Sequence, residues 1–320
     1  MMMASQNDTM GFIDSKINFF KVDLKADKQQ KTFETVYKKN NGDWSAIKSE
    51  LAKETGFTPT IINKLEFTQH LADWSNNSEG LVAAFQKDKA INSMRDMALN
   101  LNKENFVEKV AALAPAGNKA EKQAYALDLH NKLFQLEPTA MLVNMVKDPQ
   151  VPMLNNAVGS DIAKVLEKQP EFNIKTTSVY KVLKEENALK AIPKDSHDAV
   201  KAQLKTLQRI TALSPVPDAV PVLYNANLHT AMQISSLPPS QFKAAMAESG
   251  LDEGVLDQIH ANAQQASARN QHTMMALREA SQPTGVAMID RSMGYTDQPQ
   301  AGAGSVGAQA VEIISYKQHL

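Results

Sequence analysis

Apolar residues recur along this chain at spacings of three and four, and no run of strict alternation precedes residue 300. A helix gathers positions three or four apart onto one face, whereas a strand gathers alternate positions, so the period separates the two. Tyr125, Leu129, Leu133 and Leu136 fall at i, i+4, i+8 and i+11, one helical stripe. Leu256, Ile259, Ala263 and Ala266 repeat the pattern, as do Leu204, Leu207 and Ile210. Aromatic residues are only 6% of the chain while Ala, Leu, Lys, Gln and Met abound, which favours helix over sheet. The expected fold class is all-α: a multi-helix bundle or helical-hairpin array with a flexible C-terminal tail.

Turn and capping residues divide the periodic stretches. Residues 13–39 read as one lysine-rich helix, with Phe19, Phe20, Phe33 and Tyr37 on its buried side and seven lysines on a solvated face. Asn40-Asn41-Gly42-Asp43 is a turn that leaves Asp43 as the N-cap of a helix from Trp44. Thr58-Pro59 opens a segment through Ile62, Leu65 and Leu71, which Asn76-Asn77-Ser78 breaks. Leu81, Val82 and Phe85 form a short helix, and Asn102 precedes another that Pro115-Ala116-Gly117-Asn118 ends. After Ala280 the composition shifts: residues 281–310 hold five glycines with Pro283 and Pro299, the make-up of a linker, and 311–316 has the pattern of a short strand. The expected domains are therefore an N-terminal helical subdomain over 1–115, a helical module over 116–280, and a linker or tail over 281–320.

The motifs of enzyme chemistry are missing from the sequence. The seven histidines form no His-Glu-x-x-His and no pair at i, i+4, so each is expected at a surface or half-buried helix position. There is no Gly-x-Ser-x-Gly, no phosphate-binding Gly-rich loop and no cysteine. No catalytic residue, cofactor, metal site or small-molecule substrate is assigned on these grounds, and no enzyme activity is expected. A net charge of −1 gives no global field for nucleic acid. The helical-hairpin stretch over 218–260 carries Lys243 against five carboxylates, so it reads as a packing module and not as a phosphate-binding hairpin. No run approaches the ~18 apolar residues of a membrane span. Residues 1–14 lack a positive region followed by an apolar one, so the chain is expected in the cytoplasm as synthesised, with any release independent of a conventional signal peptide.

Over residues 124–270 the order of short motifs resembles the helical N-terminal portion of the Tc toxin A subunits, with weaker echoes from about residue 40. Ala124-Tyr125-Ala126-Leu127 leading to Leu136-Glu137-Pro138-Thr139-Ala140 is similar to that family's "YA…L…PTA" segment. Pro170-Glu171-Phe172-Asn173-Ile174 is similar to "NP-x-F-D", with Gln169 in place of asparagine and Asn173 in place of aspartate. Leu204-Lys205-Thr206-Leu207-Gln208-Arg209-Ile210 resembles the "LK-x-LQR" helix, and Leu223, Ala231, Ile234 and Phe242 stand where the "LL…SA…IA…F" module runs. The chain lacks the cysteine-rich "SPAAYL" segment and is about an order of magnitude shorter than those subunits.

The resemblance implies a bacterial virulence scaffold, part of a helical shell around a translocation channel, and not an enzyme. It implies protein partners, through self-association or contact with other toxin-complex subunits. The matched positions look like packing positions; Arg209 is the one charged residue among them that stands as a candidate interface contact. A stand-alone helical adaptor unconnected with toxin delivery is the alternative. Burial of Leu207, Ile210, Leu223, Ile234 and Phe242 in one core is the structural expectation that goes with either reading.

Overall fold

The computed structural model describes residues 16–151, 153–154, 156–184 and 188–281. Every regular element among them is a helix, as the period requires. The tail expected over 281–320 lies outside the described residues from 282 onward. The chain divides into two compact units, Met1–Asn144 and Met145–Leu320. The sequence places its first boundary after residue 115, whereas the contacts keep the next long helix with the first unit. None of the described helices is long and apolar enough to cross a membrane.

The first unit is built from α1 (Asp27–Lys39), α2 (Trp44–Leu51), α3 (Pro59–Trp74), α4 (Glu79–Lys87), α5 (Met94–Asn100), α6 (Lys103–Ala112), α7 (Lys119–Leu136) and most of α8 (Pro138–Lys147). The single helix expected over 13–39 is interrupted: residues 16–20 are helical, a turn follows, and α1 begins at Asp27. Core packing explains the break. In a continuous helix Phe20 and Phe33 would stand ~20 Å apart along the axis, yet their ring centroids are 4.7 Å apart. Folding the segment back also buries Leu24 and sets Phe20 against Tyr37 and Trp44. Phe19, expected inside, is half-buried.

The same fold-back takes Lys16 off the solvated face expected for it. Lys16 is buried and pairs with Asp73, which also accepts from Gln69 Nε2 at 2.7 Å. Gln69 Oε1 in turn accepts from the Tyr37 hydroxyl at 3.2 Å, and burial pushes that phenol up to about 12. Beside it, Asp23 accepts from Thr68 Oγ1 at 2.8 Å and from Gln86 Nε2 at 3.2 Å. Desolvation outweighs both hydrogen bonds and raises the Asp23 carboxyl above its ordinary value.

Helix ends follow the capping residues. Asp43 Oδ1 accepts from the Ser45 and Ala46 amides, Thr58 Oγ1 from Ile61, and Asn102 Oδ1 from Asn105. Asn118 and Glu121 form a reciprocal capping box, each side chain accepting from the other's amide at 2.9 Å. On α7 the buried face is Ala126, Leu129, His130, Leu133 and Phe134, so the stripe is turned from the one expected. Leu136 is 53% exposed and Tyr125 half-buried, because both lie roughly a quarter turn from the centre of that face. His130, expected near the surface, is buried against Phe106 at 5.1 Å. Trp74 Nε1 donates to the Leu129 carbonyl at 3.0 Å and ties α3 to α7.

The second unit contains α9 (Asn156–Glu167), α10 (Val179–Lys184), a 3-10 turn at Lys194–Ser196, α11 (His197–Leu213), α12 (Ala219–Asn225), α13 (Ala231–Ser235), α14 (Pro239–Ala245) and α15 (Glu253–Ser281). α11 packs on α9, α10, α12 and α15, and α15 also covers α13 and α14. Leu207, Ile210, Leu223, Ile234 and Phe242 are all completely buried on these contiguous elements. The link Leu237-Pro238-Pro239 is held by His260, whose Nε2 lies 2.8 Å from the Leu237 carbonyl. His260 is therefore a buried structural histidine and not the surface or half-buried residue expected, its ring 5.7 Å from Phe242.

Candidate contact surface around Arg209

α11 is strongly two-faced. Val200, Leu204, Leu207, Ile210 and Thr211 are buried, while Lys201, Lys205 and Arg209 stand at i, i+4 and i+8 on another stripe and are half-buried. The stripe runs ~12 Å along the helix axis. Tyr180 of α10 lies against it: the Lys205 ammonium sits 4.6 Å from the centre of its ring, a cation–π contact. Among the described residues Lys201 pairs only with the exposed Asp198, at a long 3.7 Å.

Arg209 is the sequence-derived candidate, and the structure places it at the C-terminal end of this stripe. Its Nη2 donates to Thr206 Oγ1 at 3.2 Å within the same helix. Its Nε is enclosed, with no hydrogen-bond partner among the described residues. Burial lowers the guanidinium from its ordinary value, partly offset by the neighbouring Tyr180 hydroxyl. Arg209 remains cationic at any physiological pH, so a desolvated, under-paired positive charge is held at the edge of the unit. An anion at its outer edge would offset that desolvation.

The residue before Arg209 ties the neighbouring segment to α11. Gln208 is buried, and its side chain saturates three backbone groups of the preceding segment. Its Oε1 accepts from the Val179 amide at 3.0 Å, and its Nε2 donates to the carbonyls of Ile174 at 2.9 Å and Thr177 at 2.7 Å. This latch fastens the start of α10, and hence Tyr180, to α11. Lys175, in the same latched segment, donates to the Ser214 carbonyl at 3.1 Å past the end of α11, and burial pushes its amine down to about 8. A cation there also complements the negative end of the helix dipole.

The spacing of Lys201, Lys205 and Arg209 opposite the Leu204 stripe was legible in the sequence, although only Arg209 was singled out. Tyr180 carries no sequence signal, because it reaches the stripe from a different helix. Among the described residues no group of three or more His, Asp or Glu side chains is placed to hold a metal ion. The surface offers cationic donors and an aromatic face, a chemistry of binding anionic groups. Neither protein-family models, characterised proteins nor solved structures match the chain.

Proposed function

We propose that this chain is a non-enzymatic helical contact element of a Tc-toxin-like assembly, a shell or scaffold piece that works through protein–protein contact. The ordered motifs over residues 124–270 support the toxin part of the reading. The cationic stripe supports the contact part: Lys201, Lys205 and Arg209 lie in and beside the segment similar to "LK-x-LQR", with Arg209 half-desolvated and under-paired. A charge held in that state by its own fold is a poor stabiliser of the isolated unit, since an enclosed donor without a partner costs ~1–3 kcal/mol. It becomes favourable when a partner supplies the missing anion.

The test is affinity capture of the tagged chain from the cells that make it, followed by mass spectrometry and channel measurements on any large subunit recovered. Recovery of a large channel-forming subunit is the expected result. Capture of partners with no channel or toxin component would overturn the toxin reading in favour of a stand-alone adaptor. Turnover of any substrate by the purified chain, lost on substitution of a single polar residue, would overturn the non-enzymatic reading.

A further inference from the structure

The first unit carries a counterpart to the cationic stripe. On α6, Glu104 and Glu108 are exposed and one turn apart, and neither is in an ion pair among the described residues. The opposite side of that helix, Phe106 and Val110, is buried, and α6 packs on α7. The carboxylates therefore face away from the core. Their separation of ~6 Å along the axis equals that between Lys201 and Lys205 and between Lys205 and Arg209. Two helices that pack with their axes nearly aligned bring such one-turn steps into register.

We propose that the Lys201, Lys205 and Arg209 stripe of one copy receives the Glu104 and Glu108 pair of a second copy of this chain. This inference rests on the protein-contact reading and adds the partner and the face. Charge complementarity selects the occupant. Nucleic acid is the poorer fit, because a chain of net charge −1 offers little field beyond three cations. The two faces differ, so each copy offers both a cationic and an acidic face to another copy. Ion pairs at a half-exposed surface are individually weak and screened by salt, so association is concentration-dependent and salt-sensitive.

Sedimentation velocity over a range of protein and salt concentrations tests this with four samples: wild type, Lys201→Glu/Lys205→Glu, Glu104→Lys/Glu108→Lys, and an equimolar mixture of the two variants. Circular dichroism checks that each variant folds, and the lysine variant leaves the more buried Arg209 in place for that reason. The expected result is a wild type that associates and weakens about tenfold or more on raising salt. Each variant alone should be monomeric at the same concentration, because its two faces carry like charge. The mixture should associate again, because each face then finds its opposite on the other variant. A wild type that is monomeric throughout overturns this contact and leaves the affinity capture to decide the broader reading. Wild-type association that ignores both reversals, or a mixture that stays monomeric, overturns it equally.

Discussion

Gln208 shows how one buried polar side chain does the work of several. Its three hydrogen bonds go to backbone groups of the Ile174–Val179 segment. Gln208→Leu is expected to lower unfolding stability by ~3 kcal/mol, since three hydrogen bonds are lost at ~1 kcal/mol each; urea denaturation would measure it. An equal midpoint for the variant would show that the latch does not hold the Ile174–Val179 segment. Lys175 gives a pH prediction with a definite sign. Its amine is held at about 8 in the fold against an ordinary value of 10.5, so between those values the unfolded chain binds more protons. Stability contributed at this site therefore rises as pH climbs from about 8 towards 10.5. Relative to Lys175→Met, the wild type should gain stability between pH 7.5 and pH 10, read from denaturant midpoints; parallel curves would contradict the desolvation.

At the scale of the element, two glycines in helices make opposite predictions. A Cβ at Gly159 of α9 would meet the Val146 carbonyl oxygen at 2.8 Å, a backbone atom with little freedom to yield. Gly159→Ala should destabilise by ~1–3 kcal/mol through overpacking, against the ~1 kcal/mol that helix propensity alone would add. Nothing lies within 4 Å of a Cβ at Gly254 in the first turn of α15. Gly254→Ala should therefore stabilise by ~0.4–1 kcal/mol. Paired thermal melts check both signs at once. The caps allow a similar contrast. Asn118→Ala removes a capping box and should cost ~1 kcal/mol, whereas Ser78, whose side chain makes no capping hydrogen bond, should tolerate alanine nearly unchanged.

For the molecule as a whole, each unit has an apolar core of its own. Phe242 is fully buried in the second unit beside His260, and Phe242→Ala should cost ~3–5 kcal/mol. Phe20→Ala should do the same to the first unit, where the ring touches Phe33, Tyr37 and Trp44. Hydrogen exchange resolved by peptide would locate each loss in its own unit, and loss of protection spread evenly over both by either variant would contradict the division at residue 144. The electrostatics also belong to this scale. A near-zero net charge conceals a cationic stripe on α11 and an acidic pair on α6.

The periodicity by itself determined the class of the fold, because spacings of three and four admit no sheet, and the caps at Asp43, Thr58, Asn102 and Asn118 determined where helices start, because their side chains reach only the next two or three amides. It also carried the α11 core stripe of Leu204, Leu207 and Ile210. Tertiary structure alone decided the rest. Phe20 could pack on Phe33 only if the first helix broke, and that break drew Lys16 inward to Asp73. Leu136 turned outward and His130 inward because the facing helix, and not the spacing within α7, chose which arc to cover. Tyr180 joined Lys205 and Arg209 because Gln208 tied one helix to another, a contact between positions about 30 residues apart that no local pattern encodes.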